Sequence, residues 1–259
     1  RAASENARFM DAKVHKNKGG LPIITPGFVP INRVIVDTEQ KKAIDLCKEV
    51  DEYIVAHCPK IASRQVIYSE DSMDKLLYTS DGMDGHTTSP RCYVYVYLSA
   101  EALDGSPLEL YKVFGGAGSF ADQFTDHQEI FAGVDFLYEE LMKKREGVYA
   151  EAGYKTVILG GIMSGMLSHE AVGHTVEADL VLGGSVAGPA LHKQVASEMV
   201  TLVDYAHTAF GKTVPLPVYL DDEGTPAEDA VLIKDGILTG YMNNRESAQH
   251  FGVKPVGNA

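Results

Sequence analysis

The chain has 259 residues, 45% of them hydrophobic, and carries 23 Lys and Arg against 36 Asp and Glu, a net charge of −13. That is enough apolar sequence for one core of ordinary size or two smaller ones, and an acidic balance with no Lys/Arg-rich run argues against nucleic acid as a partner. The longest apolar runs are too short to cross a bilayer, and three cysteines without C-x-x-C spacing, with no secretory signal, point to a reducing cytoplasm.

Both ends read as cut. The chain opens at Arg1 inside a helix-like stretch reaching Met10 and stops at Gly257, Asn258 and Ala259 without a cap, so the expectation is a segment of a longer polypeptide. Residues 13–30 contain Gly19, Gly20, Pro22, Pro26, Gly27 and Pro30 and read as a loop. A short strand at 33–36 follows, then Asp37 three residues before Gln40 in a cap-like arrangement. Ala43, Cys47, Val50 and Ile54 recur on one helical face, which makes Cys47 a core residue rather than a nucleophile.

From residue 64 to 114 the hydrophobic period becomes two. Residues 66–69 and 76–78 read as short strands, with a turn at Ser80, Asp81 and Gly82. In residues 92–99, Tyr93, Tyr95 and Tyr97 alternate with Val94, Val96 and Leu98, so this strand is expected to be covered on both faces. Asp104-Gly105 turns the chain into an antiparallel partner at 108–114. Gly115, Gly116, Ala117 and Gly118 lack the Gly-Lys-Ser/Thr of a phosphate loop and read as a flexible connection. Ile130, Val134, Leu137 and Leu141 mark an amphipathic helix ending in Lys143, Lys144 and Arg145 before Gly147. Residues 147–153 form the best internal boundary, dividing an N-terminal region, 1–150, from a second region, 151–259. In the second region, 155–159, 195–203 and 231–241 read as strands, the last folded into a hairpin at Asp235-Gly236. The fold class expected is α+β, a mixed N-terminal α/β region followed by a motif helix and antiparallel strands.

The chemistry concentrates in His169, Glu170, Ala171, Val172, Gly173 and His174. In H-E-x-x-H, histidines four apart share a helix face and bind zinc while the glutamate acts as general base. Here the histidines are five apart, and an undistorted helix would rotate them by about 140° rather than about 40°. Both rings can meet one ion only if the backbone leaves α geometry, which the reading places between Ala171 and Thr175, with Gly173 as the point of distortion. Ile162, Met163, Met166 and Leu167 form an apolar stripe beside His169, which implies that its ring is partly buried. Glu177 offers either an oxygen ligand or a partner that orients an imidazole. A thiolate ligand would have to come from Cys47, Cys58, Cys92 or sequence outside this chain. The alternatives are a core histidine and a helix-end histidine with Glu170 solvated, or a two-histidine, one-carboxylate iron site built with Glu177. The other histidines (His15, His57, His86, His127, His192, His207 and His250) have no comparable setting, and the run from Asp221 to Pro226 reads as a turn rather than a calcium loop.

These motifs together resemble the TldD/PmbA family of bacterial and archaeal metallopeptidases. The likeness runs through Gly160, Gly161 and Gly165, the His169 to His174 motif with Leu167 and Ser168, Glu177-Ala178-Asp179 and Gln194-Val195-Ala196-Ser197. It continues through the run from Asp221 to Pro226 and the run from Ile233 to Tyr241 to Gly257-Asn258, and more weakly through Tyr78-Thr79-Ser80-Asp81-Gly82. The resemblance implies zinc as cofactor, His169 and His174 as its ligands, Glu170 as general base, and a third ligand, a cysteine, beyond Ala259. It implies a hydrolase acting on unfolded or leader-like peptides, in a homodimer or a heterodimer with a related subunit, with no DNA or membrane partner. It implies too that this segment alone is inactive, and it keeps open a non-catalytic, peptide-binding subunit as the rival reading.

Overall fold

A computed structural model of the chain describes residues 2–14, 28–29 and 40–257. The strand read at 33–36, the cap-like Asp37 and His15 lie outside those residues, as does most of the loop read over 13–30. The chain is α+β. A first helix, α1 (Ala2–Val14), precedes a two-residue strand, β1 (Phe28–Val29), and the helix α2 (Gln40–His57). Helix α2 buries Ala43, Leu46, Val50 and Ile54, so Leu46 and not Cys47 completes its inner stripe. The larger side chain takes the centre of the face, and Cys47 stays half-buried at its edge.

Three long antiparallel strands follow, β2 (Ser63–Tyr78), β3 (Asp84–Glu101) and β4 (Pro107–Ala117), with β3 central and β1 joining it in parallel at Asp84 and Gly85. The two short strands expected in β2 are one continuous strand. Its polar middle stays in register because Asp71 faces Arg91, which donates Nε to its carboxylate at 2.6 Å, and Asp74 lies beside His86. The turn at Asp104-Gly105 is as expected, with Gly105 at φ 83°. Gly115 to Ala117 are not a flexible connection but the end of β4, opposite Tyr93, Cys92 and Arg91. Gly115, at φ 103°, lies so close to β3 that a Cβ there would sit 2.2 Å from the Cys92 carbonyl oxygen.

Val94, Val96 and Leu98 are fully buried against α2 and the helix α4 (Gln128–Arg145), which follows the short α3 (Phe120–Gln123). Tyr93, Tyr95 and Tyr97 on the other face are only half-buried. The expectation of cover on both faces fails because both helices pack on one side, leaving the tyrosines to shelter one another, as Tyr97 does with Tyr111 at 5.3 Å between ring centroids.

After α4 the chain runs without secondary structure from residue 148 to 160. The strand expected at 155–159 does not form. No sheet edge among the described residues pairs with it, and Ile158 is 96% exposed. The helix α5 (Gly161–Ser168) leads into the motif, and α6 (Ala178–Leu182) follows it. A second core gathers Val176, Ala178, Leu232, Ile233, Leu238 and Tyr241 around a three-stranded sheet of β5 (Leu202–Asp204), β8 (Ala230–Lys234) and β9 (Ile237–Leu238). Between β5 and β8 lies the small hairpin β6 (Thr208–Ala209) and β7 (Lys212–Thr213). The hairpin of β8 and β9 turns at Asp235 and Gly236, with φ 49° and 80°. Of the strand expected over 195–203, only its end from Leu202 pairs as β5. The rest wraps the hairpin tip instead: Val195 N–H donates to the Gly236 carbonyl at 2.9 Å, and Gly236 N–H to the Val200 carbonyl at 2.8 Å. The helix α7 (Arg245–Phe251) closes the described chain.

Candidate metal centre

Helix α5 buries none of its side chains: Ile162 is 91% exposed and Met163, Met166 and Leu167 are exposed with it. His169 is exposed as well, against the expectation of partial burial, because its apolar neighbours cover nothing among the described residues. From His169 to Gly173 the backbone is a π turn, closed by the His174 N–H donating to the His169 carbonyl, and His174–Val176 form a 3₁₀ turn. A five-residue turn does for residues five apart what an α turn does for residues four apart: it brings them to one face. The departure from α geometry begins two residues earlier than the spacing suggests. Gly173 is not where the chain leaves the allowed helical region, since its φ −46° and ψ −62° are helical.

The imidazoles of His169 and His174 lie 4.6 Å apart, centroid to centroid, at 71°. One ligand atom each from His169, Glu170 and His174 falls within 4.8 Å of the others, and this is the metal-competent group among the described residues. Glu170 Oε2 is 3.8 Å from His174 Nε2. On the other side of that ring, His174 Nδ1 shares a 2.8 Å hydrogen bond with Glu177 Oε1. A carboxylate only accepts, so this contact puts the proton on Nδ1 and leaves the Nε2 lone pair free for an ion. Glu177 therefore stands where an orienting partner stands.

What fixes the far end of the motif was not visible in its sequence. The Thr175 carbonyl accepts from Ser185 Oγ at 2.6 Å, and Thr175 Oγ1 donates to the Val172 carbonyl at 2.9 Å. Glu177 is extended, at φ −61° and ψ 123°, and is straddled by Met242, whose N–H donates to the Val176 carbonyl and whose carbonyl accepts from Ala178 N–H, both at 3.0 Å. Behind the motif, Ser168, Ala171, Val172 and Thr175 face an apolar cleft of about 320 Å³ shared with Val200 and Leu202.

The three cysteines are not part of this group. Cys58 and Cys92 belong to the first core, where burial pushes both thiols up to about 11, far from the thiolate a metal needs. The run from Asp221 to Pro226 is a turn: Asp221, 2% exposed, accepts from the Glu223 and Thr225 N–H groups at 3.0 and 2.6 Å. Of the remaining described histidines, His57 bonds the Tyr53 carbonyl, His127 bonds Glu49, and His207 stacks on Tyr219.

Two imidazoles 4.6 Å apart, with the Glu170 carboxylate beside them and the Glu177 carboxylate holding one ring, fit zinc. No helix of the described residues is long and apolar enough to cross a membrane. Comparison with known proteins gives a consistent picture. Residues 35–159 match the PmbA/TldA metallopeptidase central domain and residues 152–259 the PmbA/TldA metallopeptidase C-terminal domain. A metalloprotease of Methanothermobacter thermautotrophicus is 30% identical over 212 residues, covering 81% of this chain and 45% of the relative. A zinc metalloprotease TldD homolog of Saccharolobus solfataricus is 26% identical over 231 residues, covering 89% and 50%. The chain thus spans about half the length of the curated relatives it matches. Two solved structures share the fold. A Bacteroides thetaiotaomicron protein described as a candidate modulator of DNA gyrase has a TM-score of 0.64 at 18% identity, over 86% of this chain and 49% of its own. TldE from Thermococcus kodakarensis has a TM-score of 0.60 at 17% identity, over 95% and 56%. With two domain models matched in chain order and the histidine pair inside the second, the chain belongs to the PmbA/TldD metallopeptidase family.

Proposed function

We propose that the chain carries the catalytic motif of a zinc-dependent metallopeptidase acting on unfolded or leader-like peptides, within a homodimer or a heterodimer with a related subunit. The observation that supports this reading best is the π turn, which sets the His169 and His174 rings 4.6 Å apart with Glu170 beside them. His169 and His174 would hold the ion. When bound, zinc lowers the pKa of water and polarises a carbonyl. Glu170, exposed and paired with no lysine or arginine among the described residues, takes the proton of the attacking water and returns it to the leaving amine. Glu177 keeps His174 in the tautomer whose Nε2 faces away from the carboxylate it holds.

The test is Glu170→Gln, which keeps the shape of the side chain and removes the base. Measured in the longer polypeptide expected to carry this segment, zinc stoichiometry by elemental analysis is expected to match the parent, while cleavage of an unstructured peptide falls by about 10²-fold or more. Cleavage retained by the variant would overturn the role of Glu170. A parent protein free of zinc after growth with the metal would favour the non-catalytic, peptide-binding reading.

A further inference from the structure

We propose that Asp81, in the turn between β2 and β3, is a positioning residue of the metal centre, acting through Arg245 and Met242 on Glu177. The inference rests on the reading that His174 binds zinc. The tip of the β2–β3 hairpin docks on the turn at 219–226: Met83 and Leu220 are each 2% exposed in a small core of their own, with Leu77 and Tyr219 packed against them. Lys75 fastens one side of this junction by donating to the Leu220 carbonyl at 3.0 Å. Arg245 fastens the other. Its Nη2 donates to Asp81 Oδ2 at 2.7 Å, with the two side chains only 12% and 21% exposed, and its backbone N–H donates to Glu223 Oε2 at 2.7 Å. Thr79, from the same hairpin turn, holds the other Asp81 oxygen.

Arg245 is the first residue of α7, and Met242 lies three residues before it. Asn244 between them is held as the cap of that helix, its Oδ1 accepting from Ser247 N–H at 2.8 Å. Arg245 therefore fixes where the short segment carrying Met242 can lie. Met242 in turn straddles Glu177 with two 3.0 Å backbone bonds, and Glu177 holds His174 Nδ1. The path is a side-chain ion pair, three residues of backbone ending in a capped helix, two backbone bonds flanking Glu177 and one side-chain bond to the ring, so a shift at Asp81 reaches the imidazole through Glu177. Neutralising Asp81 weakens the hold of the hairpin turn on an enclosed guanidinium, which favours movement of Arg245 and the segment attached to it.

The experiment is a double-mutant cycle on zinc affinity, read by competition with a zinc indicator. Glu177→Gln is expected to weaken zinc about 10- to 100-fold. Asp81→Asn is expected to weaken it on the order of threefold or more alone, and by less than about twofold when added to Glu177→Gln. Lys254→Met, which breaks an exposed pair with Glu228, is the control and leaves affinity unchanged. The second readout is the ¹⁵N signature of the His174 ring in metal-free protein, protonated at Nδ1 in the parent and shifted toward a mixture by Asp81→Asn. Should Asp81→Asn fail to fold, Arg245→Lys, which keeps the charge but loses the fork, replaces it in both measurements. An unchanged affinity and tautomer would overturn the inference, as would an Asp81→Asn loss that is undiminished on the Glu177→Gln background. If the parent takes up no zinc, the functional reading falls, and the metal-free tautomer still decides this one.

Discussion

Gly173→Ala separates two physical accounts of the π turn. If glycine's freedom created it, a Cβ at this position would carry a strain cost. Gly173 instead has φ −46° and ψ −62°, open to any L-residue, and a Cβ there would meet the Ser168 carbonyl oxygen at 3.7 Å and His169 Nδ1 at 3.9 Å, both ordinary contacts. Alanine then removes conformations from the unfolded chain without straining the folded one, which stabilises by about 0.4–1 kcal/mol. For a chain of this size that is roughly 1–4 °C in Tm. Thermal and urea unfolding followed by circular dichroism, with a zinc titration alongside, measures it. A loss of more than about 1 kcal/mol would refute the reasoning, because that is the sign alanine gives where the native backbone excludes it.

Gly115→Ala should do the opposite. At φ 103°, with its Cβ 2.2 Å from the Cys92 carbonyl oxygen, it forces β4 away from β3 and is expected to cost about 2 kcal/mol or more; an unchanged urea midpoint would contradict the close packing. Cys58 and Cys92 are expected to resist a thiol reagent at pH 8 in the native protein and to react after denaturation, because burial raises both to about 11. The sign for stability follows from the same shift. The folded state keeps protons that the unfolded state releases above the ordinary thiol value, so the contribution of these two residues is full below about pH 8.5 and falls as pH rises toward about 11. A Cys58→Ala, Cys92→Ala variant with the parent's alkaline decline would show that these thiols do not cause it.

Periodicity was enough where one physical demand dominated. Val94, Val96 and Leu98 announce a buried strand face, Ile130 to Leu141 a helix stripe, and Asp235-Gly236 a turn that only left-handed residues can make. It misled where neighbours decide. The polar middle of β2 holds as strand because Arg91 stands opposite Asp71 and His86 reaches Asp74 diagonally, and those pairs join residues 20 and 12 positions apart. Residues 155–159, apolar at Val157, Ile158 and Leu159, look like a strand but find no edge to pair with among the described residues. At the motif, the residue types and the departure from α geometry were legible from a spacing incompatible with a regular helix. The exposure of His169 was not, because an apolar stripe reports what a helix would bury and not whether a partner covers it. Met242 carried no signal, since it acts through backbone groups that every residue has, and neither did Ser185, whose hydroxyl meets a carbonyl ten residues away in a contact no local pattern marks.

The register of the motif is set from its C-terminal side. Val176 and Ala178 are each 1% exposed in the second core, and the backbone around them is held by Ser185 and Met242, whereas no side chain of α5 is buried. Between a fixed end and a free one, the extra residue is absorbed where the helix has least to lose, in the turn that carries the histidines. The π turn is then a consequence of tertiary anchoring rather than of local sequence preference, which is why Gly173 can sit in it at ordinary helical angles. The same asymmetry divides the two histidines: His174, with Glu177 behind it, belongs to the anchored end, and His169 to the end of an exposed helix. An ion bridging the two imidazoles would tie that helix to the second core, so metal binding and the ordering of α5 are linked quantities: whatever loosens α5 must weaken the metal, and the metal must in turn stabilise α5.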